Sequence, residues 1–74
     1  MQNFSISRLH TSHGIFKLKG VLHFNTQAKA YIFVHQLQIM ASDGWIELQI
    51  HHPHTQRLIK VLYNDLASHL DLNI

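Results

Sequence analysis

The order of apolar and polar positions divides the chain at Pro53: short alternating runs precede it, and beyond it leucine returns every fourth residue. Asn3-Phe4-Ser5-Ile6-Ser7 carries the first alternation, a short strand signal that Ser12-His13-Gly14 interrupts. From Ile15 to Phe24 the alternation is stronger. Phe16, Leu18, Leu22 and Phe24 share one face, and Lys17, Lys19, Val21 and His23 share the other. Gly20 inside this run marks a bulge or a close approach of backbone. Asn25-Thr26-Gln27 reads as a short hairpin connection. The next run places Tyr31, Phe33, Leu37 and Ile39 on one face, with Ile32, Val34 and Met40 on the other, so its first half is expected to be covered on both sides. Ser42-Asp43-Gly44 is a turn, because Asp-Gly supplies the positive φ that hairpins need. Trp45 to Ile50 alternates again, with Ile46, Leu48 and Ile50 inward and Glu47 and Gln49 outward.

After Pro53 the period changes. Leu58, Leu62, Leu66 and Leu70, flanked by Ile59 and Tyr63, form an amphipathic helical stripe, with Thr55 as its expected N-cap. A rival local pattern runs through residues 57–63, where Arg57-Leu58-Ile59-Lys60-Val61-Leu62-Tyr63 also reads as a strand; the longer leucine spacing favours helix. The expected fold is α+β: a three- to four-stranded antiparallel meander with one C-terminal helix packed on one face. Residues 1–74 are expected to form a single small domain. A sheet covered on one side only leaves its second face for a partner or for a second copy of the chain.

Composition narrows the functional classes. At 8.6 kDa the chain buries only about 60–65% of its unfolded surface, which makes its stability marginal and leaves little room for an enzyme's machinery. There is no cysteine, hence no disulfide and no thiolate site, and a cytoplasmic address is the expectation. No apolar run is long enough to span a bilayer and no signal peptide is visible, so no membrane role is expected. Charged residues make up 14%, while the 8 histidines outnumber the 6 lysines and arginines. With histidines neutral the net charge is +2, too small an excess to indicate nucleic acid by itself.

Two stretches resemble the C-terminal domain of CobW-type metallochaperone proteins. Phe16-Lys17-Leu18-Lys19-Gly20-Val21-Leu22-His23 is similar to that domain's basic-x-Lys-Gly strand, and Arg57-Leu58-Ile59 through Asn64-Asp65-Leu66 to its closing strand and the turn into its last helix. Ser42-Asp43-Gly44-Trp45 lies where the family often has a tryptophan-containing loop. The likeness covers about fifty residues loosely. It omits the family's opening strand and long helix, its nucleotide-binding G-x-x-x-x-G-K-[ST] motif and its cysteine metal motif. The resemblance implies a detached accessory domain without GTPase activity, and a strand at residues 57–63.

Among residues that carry chemistry, His51-His52-Pro53-His54 is the densest group, with His10 and His13 in an expected loop and His69 on the helix. Neutral imidazoles suit zinc, nickel or copper, and His51, His52, His54, His10 and His13 are the candidate ligands, zinc the candidate ion. In an extended segment His51 points away from His52 and His54, so one site would need His10, His13 or Asp43 as well; solvated loop histidines are the plainer reading. His35 is expected nearly opposite His51, across the Ser42–Gly44 hairpin. Burial of His35 in a neutral state would lower the melting temperature at pH 5.5 relative to pH 7.5. Lys17 and Lys19, with Lys29, Tyr31 and Trp45, offer a second chemistry, a basic and aromatic sheet surface for single-stranded nucleic acid. Solvated lysines guarding a sheet from edge pairing are the plainer alternative.

The carboxylates Asp43, Glu47, Asp65 and Asp71 form no pair suited to acid–base work, and no nucleophile with an oxyanion device is identifiable. The leading expectation is a small, non-catalytic binding domain whose open sheet face engages a protein partner, including a homodimer. Histidine-based metal handling is the second reading. Single-stranded nucleic-acid binding and a phage- or plasmid-type inhibitor complete the set.

Overall fold

The computed structural model describes residues 2–25, 27 and 29–71, and shows the α+β meander with a C-terminal helix. Strands β1 (Gln2–Thr11), β2 (Gly14–Phe24), β3 (Ala30–Ala41) and β4 (Gly44–Leu48) lie side by side in chain order, each antiparallel to the next. Helix α1 (Pro53–His69) packs across one face, nearest β1. Residues 57–63 are therefore helical, unlike the closing strand that the metallochaperone resemblance implies. Leu62 and Leu66 have no exposed surface, and Leu58 and Leu70 extend the same stripe over the core.

Two-residue turns make the outer hairpins. Ser12 and His13 join β1 to β2, and Ser42 and Asp43 join β3 to β4, with Gly14 at φ +133° and Gly44 at φ +124° closing them. In the first, the Thr11 hydroxyl donates to the Gly14 carbonyl at 2.9 Å and accepts from the His13 N–H at 3.0 Å. The middle connection is longer than the sequence suggests. The Asn25 side-chain oxygen accepts from the N–H groups of Gln27 and Lys29 at 2.9 and 3.0 Å, and Asn25 N–H donates to the Lys29 carbonyl. Thr26, part of the expected connection, lies outside the described residues.

Two bulges reorganise the faces. Between Ile6 and Leu9 the β1–β2 register shifts, so that both residues point inward across a three-residue step. Between Lys19 and Gly20 the β2–β3 register shifts as well, leaving His35 as the extra residue on β3. A bulge reverses the side-chain alternation beyond it. Ala30, Ile32 and Val34 consequently point to the same side as Leu37 and Ile39, whereas Tyr31 and Phe33 point outward with Gln36, Gln38 and Met40. This corrects the alternation that grouped Tyr31 and Phe33 with Leu37 and Ile39.

Gly20 lies at the second bulge because nothing larger fits. A Cβ there would meet the Phe33 carbonyl oxygen, and the Phe4 ring lies over the same spot, 2.9 Å from where the Cβ would be. The close backbone approach expected of this glycine is present.

The core lies where helix and sheet overlap. Phe16, Leu18, Leu37, Leu62 and Leu66 are fully buried, with Ile6 and Leu9 completing the cluster. Thr55 is buried in the first helical turn and does not cap it. The N-cap is His52, whose Nδ1 accepts from the His54 N–H at 3.1 Å, with Pro53 opening the helix behind it. A threonine in the third helical position has a helical backbone, so its hydroxyl is past the point where the unpaired N–H groups can reach it.

Candidate interaction surface

The sheet face turned away from α1 gathers the chemistry that the sequence scatters. Because β2 alternates without interruption, Lys17, Lys19, Val21 and His23 all stand on this face. The β3 bulge then brings Tyr31 and Phe33 beside them: Val21 pairs with Phe33 and His23 with Tyr31. Tyr31 is 41% exposed and Phe33 53%, both large for aromatic residues in the middle of a strand. Val21, His23, Phe33 and His35 line a shallow hollow of about 420 Å³.

Below the hollow the same face is polar. Lys17 Nζ sits 4.6 Å above the Trp45 ring, a cation–π contact that covers the indole and holds the ammonium in place. Gln36 donates to Glu47 at 2.7 Å across β3 and β4. Lys19 lies between Ser5 on β1 and Gln36 on β3. Lys29, by contrast, stands at the entry to β3 beyond the hollow, close to the Asn25 side chain that also reaches the Tyr31 hydroxyl at 3.4 Å. Lys17, Lys19 and Tyr31 thus share one face, with the apolar hollow between the lysines and the tyrosine.

The candidate metal ligands fall in separate places. His10 is on β1 rather than in a loop, at the rim of a depression shared with Arg8, Asp65, Ser68 and His69, while His13 is in the turn. The His52 and His54 rings stack with centroids 5.1 Å apart and planes at 19°. Both are already engaged, His52 as the helix cap and His54 with its Nδ1 2.8 Å from the Arg57 guanidinium. His51 borders a different depression, with His35, Gln36, Glu47 and Ile50. Among the described residues, no group of three or more His, Cys, Asp or Glu side chains is placed to hold one ion.

His35 and His51 do come near one another, as the turn predicts, although β4 ends at Leu48 and the register aims His35 at Ile50. All eight histidines are exposed. The burial of His35 invoked for the expected acid sensitivity is therefore absent. The residues that sequence reasoning misses are Phe33 and His35. Their signal is the three-residue step from Val34 to Leu37, with polar Gln36 and Gln38 around it, which is incompatible with unbroken alternation.

No helix among the described residues is long and apolar enough to cross a membrane. No family model matches the chain, no curated protein matches it, and no solved structure matches it.

Proposed function

We infer that this chain is a non-catalytic binding domain that engages a protein partner through the outward sheet face, centred on the hollow of Val21, His23, Phe33 and His35. The observation that carries this reading is the exposure of Phe33 beside Val21 on a face the helix does not cover. An aromatic anchor in an apolar hollow, ringed by Lys19, Gln36 and Tyr31, has the make-up of a protein-binding hot spot: apolar centre, polar rim. Its carboxylates support the non-catalytic part. Asp43 is in a turn, Glu47 on β4 bonded to Gln36, Asp65 on the helix and Asp71 beyond its end, so they share no cleft.

The test is capture of a partner from the native host's lysate by the wild-type protein and by Val21→Asp, compared at matched folding by circular dichroism. Loss of the captured protein with Val21→Asp is expected. Equal capture by both would remove the hollow from the reading.

Single-stranded nucleic acid is the second reading, favoured by Lys17, Lys19 and exposed Tyr31 standing on one face. It predicts a salt-dependent gel shift that Lys17→Ala with Lys19→Ala abolishes. The Lys17–Trp45 contact argues against it, because it occupies both a cation and an aromatic surface that bases would need.

A further inference from the structure

We propose that the chain forms a two-fold homodimer by pairing Ala30–Val34 of β3, edge to edge and antiparallel, with the same segment of a second copy. The sheet has two long edges, and they are built differently. On the β1 edge, a bulge at Ser7–Arg8 disrupts the strand and places an exposed arginine on it, two devices that discourage pairing. The other edge is β4 only as far as Leu48, which pairs with Leu37. The chain then leaves the sheet, with Ile50 and His51 beside His35. Above that point β3 itself becomes the edge: Ala30, Tyr31, Ile32, Phe33 and Val34 pair with β2 on one side and with no described strand on the other.

This edge carries none of the usual protections. Its five residues are all apolar or aromatic and include no charge, proline or glycine. The end of β4 also fixes the register. A second strand laid in line with β4 has five positions available, opposite Ala30 to Val34, and if that strand is the same segment the two-fold axis must pass through Ile32. Ala30 then faces Val34 of the second copy on the helix-covered side, and Tyr31 faces Phe33 of the second copy on the outward side. Such aromatic pairs are favourable cross-strand neighbours.

The chain exposes 5284 Å², whereas a folded monomer of 8.6 kDa exposes about 4,700 Å². The molecule is also long for its size, at 43 × 22 × 19 Å, with a radius of gyration of 12.3 Å against about 11.3 Å for a compact chain of this length. Pairing would join two sheets of four strands into one continuous sheet. It would also merge the two outward hollows across the axis, so that Tyr31 of one copy completes the hollow around Phe33 of the other.

The absence of cysteine allows a clean test. Size exclusion with light scattering at up to ~100 μM is expected to give twice 8.6 kDa, and Ile32→Cys, on the axis, is expected to cross-link under mild oxidation. Tyr31→Lys alone is expected to give a monomer, since it sets a lysine against Phe33 at both junctions. Tyr31→Lys with Phe33→Glu is expected to restore the dimer through two Lys–Glu pairs. Circular dichroism establishes that each variant is folded, and Val21→Asp, which alters the outward hollow but not the edge, should remain dimeric whether or not a protein partner binds there. A monomeric wild-type protein, or a dimer that Ile32→Cys does not cross-link, would overturn the proposal.

Discussion

The two halves of the sheet are made from similar residues and end in different states. In the half under α1, Leu9, Phe16, Leu18 and Leu37 meet Leu62 and Leu66 and lose nearly all their exposure to solvent. In the half beyond the β3 bulge, Phe24, Tyr31 and Phe33 stay 41–53% exposed although they are large aromatic residues. The difference has two causes: Tyr31 and Phe33 stand on the face turned away from α1, whereas Phe24, on the helix side, lies at the end of the sheet beyond Leu22 and Ala30, which are still buried. A helix of seventeen residues is about 25 Å long, while β3 with twelve residues is about 40 Å, and α1 starts where β4 stops. One helix can cover only part of such a sheet. Stability is thus concentrated in the covered half, and recognition is left to the other.

The largest expected effect breaks this comparison at its base. Leu66→Ala or Leu18→Ala removes a fully buried side chain and should cost about 3–4 kcal/mol. With total stability on the order of 5 kcal/mol for a chain of this length, either variant should be largely unfolded in mild urea. Phe24→Ala in the upper half should cost less than about 1 kcal/mol, measured by the same urea titration. Equal costs in the two halves would mean that the upper half is covered in solution by something outside the single chain, such as a second copy.

Gly20→Ala tests the junction between the halves. The added methyl would collide with the Phe33 carbonyl, a backbone atom that cannot rotate away, and with the Phe4 ring. A cost of about 2–3 kcal/mol is expected, accompanied by faster amide exchange through Val21–Phe24 and Ala30–Val34. Exchange confined to those segments would show that the upper half opens as a unit. Exchange accelerated equally throughout would show that the two halves unfold together.

What is legible in the sequence divides along the same line. The helix, the Asp43-Gly44 turn and the inward set of β2 are all readable, because each depends on local periodicity or on a backbone angle that only certain residues adopt. The outward site is only half readable. Counting along an uninterrupted strand places Lys17, Lys19 and Val21 correctly. It misplaces Tyr31 and Phe33, because counting in twos fails across a bulge, which is marked only by Gly20, whose missing Cβ admits the Phe33 carbonyl, and by the three-residue step from Val34 to Leu37. The histidine-rich segment misleads for a related reason. His51, His52 and His54 are neighbours in sequence, but His51 borders a different depression from the stacked His52 and His54 rings, and His52 is engaged as the helix cap and His54 by Arg57.

The smallest expected effect refines how the covered half is anchored. Histidine is an unusual cap: its ring nitrogen takes one helical N–H but brings no negative charge, and the first turn contains no acidic residue. An aspartate in place of His52 would accept the His54 N–H with a carboxylate, set a negative charge at the positive end of the helix, and lie within a turn of Arg57. His52→Asp should therefore stabilise the domain by about 0.5–1 kcal/mol, and His52→Ala should destabilise it by a similar amount. Each kcal/mol corresponds to about 4–8 °C in melting temperature for a domain of this size, so differential scanning calorimetry resolves both. Because α1 anchors only the covered half, amide protection should rise along the helix and over Phe16–Leu18 in His52→Asp and stay unchanged at Tyr31–Phe33. A gain spread evenly over the sheet would tie the upper strands to the helix more closely than their exposure suggests.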